Sequence, residues 1–283
     1  MTAIRSIQHI QPSRPTIEGA GVRLKRAFGY GDVPRFDPFL MLDDFHSDRP
    51  SDYMAGFPWH PHRGIETVTY MISGEVEHGD SMGNKGIIRS NEVQWMSAGS
   101  GIVHQEMPRR QKGDLWGLQL WVNLPASHKM MGPRYRDIRA TDIPECRLDS
   151  GGVVKVVAGS FNDCRGPVGD LIGAPEYLDV SLPKGAGFEH AIAKGKTVFA
   201  YALEGEGRFA PDKEKAIGAE SLVLYGDGDK VSIKADKTGL RFLLASGRPL
   251  GEPVAWRGPI VMNTEEELNL AFAEFRNGSF IKS

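Results

Sequence analysis

Four residues in the first half of the chain have the types and spacing to hold a metal ion. His60 and His62 stand two apart in Phe57-Pro58-Trp59-His60-Pro61-His62-Arg63-Gly64-Ile65-Glu66. His104 and Glu106 stand two apart in Gly99-Ser100-Gly101-Ile102-Val103-His104-Gln105-Glu106. On an extended strand, alternate side chains share a face, so each pair can aim both members at one point. Two such strands side by side would offer three imidazoles and one carboxylate to a single ion. Three neutral nitrogens and one anionic oxygen suit one divalent first-row metal: iron, manganese, cobalt, nickel, copper or zinc.

Glu66 competes for the carboxylate position. Counted from His60, positions 62, 64 and 66 share parity, so an unbroken strand would turn Glu66 inward as well. Gly64 argues for a bulge there, since glycine inside a strand often marks one. On the residues alone, Glu66 and Glu106 remain rivals. The other histidines, His9, His46, His78, His128 and His190, stand singly and read as packed or solvated. No phosphate-binding Gly-x-x-x-x-Gly-Lys-Ser/Thr loop occurs, no dinucleotide Gly-x-Gly-x-x-Gly after a strand, and no Gly-x-Ser-x-Gly elbow. The acidic run Glu265–Glu267 reads as a helix start favoured by the dipole.

The elements that must position these residues read as short strands. Val22–Arg26 alternates, Phe39–Leu42 is an apolar run, and Ile65–Ile72 is rich in β-branched and aromatic residues. Leu115–Leu124 puts Trp116, Leu118, Leu120 and Val122 on one face and Gln119, Trp121 and Asn123 on the other. The second half continues with short strands between Gly, Pro and Asp turns, and Gly205-Glu206-Gly207 resembles Ser73-Gly74-Glu75 in position, which suggests a duplication. Such spacing predicts an all-β chain of two sandwiches or barrels. The irregular stretch 126–150 sets domains at 1–135 and 136–283, with the second ending in a helix. That helix starts in a Thr264-Glu265-Glu266-Glu267 capping box, stops at Asn277-Gly278, and should bury Leu268, Phe272 and Phe275.

Composition excludes several classes. With 283 residues, 40% of them hydrophobic and 25% charged, the chain is expected to be a soluble globular protein of one large or two ordinary domains. A net charge of −2 supplies no basic field for nucleic acid or anionic membrane. No apolar run is long enough to span a bilayer, and the N-terminus lacks a signal-peptide core. Cys146 and Cys164 read as small buried hydrophobes, which favours a reducing, cytoplasmic setting.

The runs His60-Pro61-His62-Arg63-Gly64-Ile65-Glu66-Thr67-Val68-Thr69-Tyr70-Met71, Val93-Gln94-Trp95-Met96 and Gly101-Ile102-Val103-His104 resemble the pirin family of the cupin superfamily. Asp37-Pro38-Phe39-Leu40 and Gly258-Pro259-Ile260-Val261-Met262-Asn263-Thr264 extend the resemblance over nearly the whole chain. It implies two cupin-type jelly-roll barrels, with iron as Fe(II) in the first only. It places the ligands at His60, His62, His104 and Glu106, leaving Glu66 as a group that orients one of them or accepts a proton. It also implies one of two functions. One is a quercetin 2,3-dioxygenase, which inserts dioxygen into a flavonol and releases carbon monoxide. The other is a metal-dependent regulator with a transcription factor or metabolic enzyme as protein partner. The dioxygenase is the preferred expectation, with Glu106 or Glu66 taking the substrate's proton and Trp59, Met71, Trp95 and Met96 as candidate walls or ordinary core.

Overall fold

The computed structural model describes residues 2–211 and 215–282, which divide into two compact units. One unit comprises 14–140 with 250–282, the other 2–13 with 141–249. Both are built from antiparallel strands, so the all-β class holds.

The first unit is a barrel of two sheets. A seven-stranded sheet runs in the order Arg134–Ile138, Val93–Ser97, Ile65–Ser73, Leu115–Asn123, Phe39–Ser47, Val22–Phe28 and Arg14–Glu18. A four-stranded sheet runs Phe57–His62, Ile102–Pro108, Glu75–Asp80 and Lys85–Arg89. The sheets face each other, because Thr69 of one hydrogen-bonds Glu106 of the other.

The register sorts the inner face of the larger sheet into layers. Met96, Thr67, Trp121 and Met41 form one cross-strand row, mostly apolar. Met71, Gly117 and Phe45 form another, and any side chain at 117 would collide with Phe45 and Met71. Between them runs a polar row of directly opposed residues: Gln94, Thr69, Gln119, Asp43 and Arg26. Cross-strand partners share a face, so all five point into the barrel. The sequence pattern of Leu115–Leu124 groups Gln119 with Trp121, and these are the inward pair.

The second unit has a nine-stranded sheet, with Ile7–Pro12 at one edge paired to Ser221–Tyr225. Its interior is filled by apolar side chains, among them Phe161, Phe188, Phe209 and Phe242.

Three expectations change. The C-terminal helix, Glu265–Arg276, belongs to the first unit, not the second. The reason is local pairing: Val261 N–H donates to the Arg63 carbonyl at 3.1 Å, and the Arg63 side chain donates to Glu274 at 2.7 Å and to the Phe280 carbonyl at 2.8 Å. The N-terminal strand likewise joins the unit formed by 141–249. The capping box forms as read, with Glu267 N–H donating to the Thr264 hydroxyl at 3.2 Å. The helix buries Leu268 and Ala271 against Ile260, Met262 and Phe280. Phe272 is half-buried, and Phe275 is 41% exposed, held edge-on to the Phe280 ring. Third, Cys146 and Cys164 form a disulfide across a Cα separation of 6.3 Å. Strand Glu145–Arg147 and the hairpin of Ser160–Phe161 with Cys164–Arg165 bring them together, within the usual reach of such a bond. Among the described residues, no helix is long and apolar enough to cross a membrane.

The helix packing makes a stability prediction. Leu268→Ala should cost about 2–5 kcal/mol, the range for a fully buried leucine. Phe275→Ala should cost under about 1 kcal/mol. Denaturant melts of the two variants check this, and equal losses would mean the helix face is misassigned.

Candidate metal centre

The strands Phe57–His62 and Ile102–Pro108 are antiparallel neighbours, with His60 directly opposite His104 and His62 opposite Ile102. Alternation then turns all three imidazoles to the barrel interior. Their donor atoms lie within 4.8 Å of one another, so the three could hold a metal ion.

The hydrogen bonds around the rings set their tautomers. His60 Nδ1 donates to the Pro58 carbonyl at 2.8 Å, and His62 Nδ1 donates to the Pro259 carbonyl at 2.9 Å. Each Nε2 is thereby left with a lone pair, and the two Nε2 atoms stand 3.1 Å apart. His104 is fully buried, yet neither of its ring nitrogens has a hydrogen-bond partner among the described residues. Buried polar atoms without partners are costly. Burial, reinforced by the neighbouring imidazoles, holds His62 and His104 well below the ordinary histidine range, so both are neutral. Converging neutral nitrogens, one ring of them unsatisfied, fit a divalent cation.

Glu106, two residues on from His104 in the same strand, is not among the residues whose donor atoms converge. A register shift between His104 and Glu106 sets it opposite Phe57 on one side, and it faces His78 on the other. One carboxylate oxygen accepts the Thr69 hydroxyl at 2.6 Å and the other accepts Gln119 Nε2 at 2.9 Å. Two members of the polar row thus fix its orientation.

Glu66 does not join them. Strand Ile65–Ser73 is unbroken, and Thr69 points at Glu106, so Glu66 occupies the opposite face. There its carboxylate accepts the Ser97 hydroxyl at 2.5 Å and Trp95 Nε1 at 3.2 Å. Burial pushes it above the usual carboxylate range against those two bonds. The parity count from His60 fails at Gly64, where φ is +79° and a Cβ would run into the Val261 carbonyl. The chain turns there and restarts its alternation.

Behind that turn sits Lys129, only 1% exposed. Its ammonium donates to the Gly64 carbonyl at 2.9 Å, Asn123 Oδ1 at 2.7 Å and the Val261 carbonyl at 3.1 Å. Burial pulls Lys129 down to about 7. One cation therefore ties the turn after His62 to the segment that carries Pro259.

A cavity of about 910 Å³ opens onto His60 and His62. This is within the size of small-molecule sites. Its walls include Tyr30, Met41, Trp121 and Trp256, with Arg26 and Asp43 among the polar lining. The Trp121 ring stands edge-on to His62 at 5.0 Å and 5.7 Å from Trp256, which is itself 5.5 Å from Tyr30. Of the walls expected from sequence, Trp59 is 53% exposed and Trp95 lies on the Glu66 face. Met96 packs with Trp121, and Met71 belongs to the apolar row. Tyr30 and Trp256 were missed because they come from distant segments. His78, read as solitary, is buried, stacks on Tyr135 at 4.7 Å and brings its Nε2 within 3.7 Å of Asp80 Oδ2. Its placement opposite Glu106, legible only from register, was the missing signal.

A two-unit cupin chain with one histidine triad is the class that fold and site define. The comparisons agree. The Pirin family model matches residues 21–122, and the Pirin C-terminal cupin domain matches 177–281. The chain belongs to the pirin family. It is 46% identical over 278 residues to a pirin-like protein of Caulobacter vibrioides, covering 98% of this chain and 99% of the relative. The crystal structure of a quercetin 2,3-dioxygenase from Acinetobacter baumannii matches with a TM-score of 0.91 and 32% identity, covering 98% of this chain and 99% of that one. The structure of the Escherichia coli pirin YhhW in complex with nickel(II) shares the fold at a TM-score of 0.64 and 23% identity, covering 85% of this chain and 99% of that one.

Lys129 yields the second prediction. Lys129→Met strands three buried oxygen acceptors and should cost on the order of 3 kcal/mol. The native lysine also makes stability pH-dependent. Its folded value, about 7, lies below the 10.5 of a free lysine. Between those values the unfolded chain binds a proton that the folded protein lacks, so the stability contributed by this group rises with pH. Urea melts at pH 7 and pH 10 should show that rise in the wild type relative to Lys129→Met. Parallel pH profiles would mean that Lys129 keeps its proton throughout.

Proposed function

We propose that this protein is a metal-dependent dioxygenase of quercetinase type, acting on a flavonol such as quercetin with dioxygen. The observation that carries the reading is the juxtaposition of three converging imidazoles with an aromatic-walled cavity wide enough for a flat multi-ring molecule. The similarity to the Acinetobacter baumannii quercetin 2,3-dioxygenase supports it.

His60, His62 and His104 would hold one divalent ion, with iron as Fe(II) the preferred metal and Glu106 as the carboxylate of the set. When bound, the ion supplies Lewis acidity that favours ionisation of a phenolic hydroxyl and a site for redox chemistry. The chain does the rest. Trp121, Trp256 and Tyr30 exclude water and present apolar faces to the substrate rings. Glu106 takes the proton of the flavonol 3-hydroxyl, and Thr69 and Gln119 hold its oxygens in place while it does so. The ionised flavonol is electron-rich and reacts with dioxygen, and the products are the cleaved ester and carbon monoxide. Glu66, on the other face, serves the barrel wall through Ser97 and Trp95 rather than the reaction.

The deciding experiment is aerobic turnover of quercetin by protein loaded with each divalent metal in turn, with carbon monoxide measured. One metal per chain and carbon monoxide stoichiometric with quercetin lost are expected. Absence of carbon monoxide with every metal would sink the reading. The two glutamates give a further prediction. Glu106→Gln should lose its metal to a chelator at least about tenfold more readily than wild type and lose turnover. Glu66→Gln should keep both within about threefold. The reverse order would return Glu66 to the site.

A further inference from the structure

The cavity has a second polar feature, away from the histidines. Strand Phe39–Ser47 places Asp43 directly beside Gln119, and strand Val22–Phe28 places Arg26 beside Asp43. Arg26 donates from Nε to Asp43 Oδ1 at 2.8 Å and from an Nη to Oδ2 at 2.7 Å. The same guanidinium reaches Glu18 at 2.9 Å. All three residues line the cavity. The Asp43 side chain is 5% exposed, whereas Arg26 and Glu18 open progressively toward solvent at 25% and 41%. An ion pair at this depth is costly to bury.

The pair leaves hydrogen-bonding capacity unused. A carboxylate oxygen accepts about two hydrogen bonds, and each Asp43 oxygen accepts one from Arg26. Two acceptor positions, one on each oxygen, remain. Donors that match them are two hydroxyls on adjacent carbons. The spacing also fits. Gln119, which contacts Glu106, is one strand from Asp43 and two from Arg26. Adjacent strands are about 4.8 Å apart, so the cluster lies roughly 5–10 Å along the sheet from the Glu106 end. Trp121 and Trp256 line the cavity that joins the two ends.

We infer that Asp43, braced by Arg26 and Glu18, is the specificity determinant of this cavity. It receives adjacent phenolic hydroxyls on the ring of the substrate farthest from the histidines. The inference rests on the flavonol reading above and names the subclass: flavonols with a catechol on the pendant ring. Asp43 contacts the substrate through hydrogen bonds only and takes no part in dioxygen insertion, so its effect falls on affinity and on discrimination between substrates.

The test is equilibrium binding by calorimetry, without dioxygen, to the metal-loaded full chain. Two ligands are compared: quercetin, whose pendant ring carries adjacent hydroxyls, and the flavonol whose pendant ring carries none. Hydrogen bonds to a charged acceptor are worth about 10- to 100-fold in affinity, so wild type should prefer quercetin by at least tenfold. Asp43→Asn should reduce the preference to under about threefold while leaving the unsubstituted flavonol's affinity unchanged. Because Asp43→Asn leaves Arg26 with Glu18 alone, the double variant Arg26→Gln/Asp43→Asn, a neutral hydrogen-bonding pair, is measured beside it and should behave the same. Persistence of the preference in both variants, or an equal fall for both ligands, overturns the inference. Equal binding of the two ligands to wild type overturns it while leaving the flavonol reading intact. If neither ligand binds wild type, both fall. If both bind and no carbon monoxide appears in air, the dioxygenase reading falls and the affinity ratio still decides the role of Asp43.

Discussion

Three imidazole nitrogens can share one point only if none of them carries a proton facing the others. In this chain that condition is met by carbonyls. Pro58 and Pro259 each take the Nδ1 proton of one ring, which leaves the facing nitrogens with lone pairs. Everything nearby serves that arrangement. Strand pairing sets His60 against His104, Gly64 turns the chain after His62, and Lys129 fastens the turn to the segment that carries Pro259. Burial then keeps His62 and His104 neutral, because a protonated imidazole there has no water to solvate it. A triad that could hold a metal ion is thus oriented by backbone oxygens on the far side of two of its rings.

The two units use similar strands to different ends. The second packs a large apolar cluster, with Phe161, Phe188, Phe209 and Phe242 among its members. The first interrupts its apolar layers with the row Gln94, Thr69, Gln119, Asp43 and Arg26. Polar groups inside a barrel are tolerable only when they bond one another or a ligand. Thr69 and Gln119 satisfy Glu106, and Arg26 satisfies Asp43, so the row is held open without a hydrophobic plug. The cavity follows from this substitution of polar for apolar at one level of the barrel.

Much of this was legible in the sequence. The two i, i+2 pairs located the histidines, and the alternation of Leu115–Leu124 put Gln119 and Trp121 on one face, without saying which face turns inward. Parity left Glu66 open, and the break suspected at Gly64 is where the alternation restarts. Helical spacing announced the last helix but could not say which barrel it would cover, and it could not show that Phe275 lies beyond the contact. Tyr30 and Trp256 join the cavity through tertiary folding, which carries no local pattern. The cysteines, 18 residues apart, were separable from buried hydrophobes only by knowing that two short hairpins meet.

The swap of chain ends between the units has a consequence for how the protein is made. Ribosomes deliver about 5–20 residues per second, and domains tend to fold as they emerge. The histidine-bearing strands emerge early, yet Pro259, Val261 and Phe280, which lock the turn after His62, emerge only after residues 141–249. The intervening unit, 141–249, is synthesised in full before the first barrel can close. During that interval His62 lacks the Pro259 carbonyl that fixes its tautomer. The turn after His62 is therefore locked only after the intervening unit has been made.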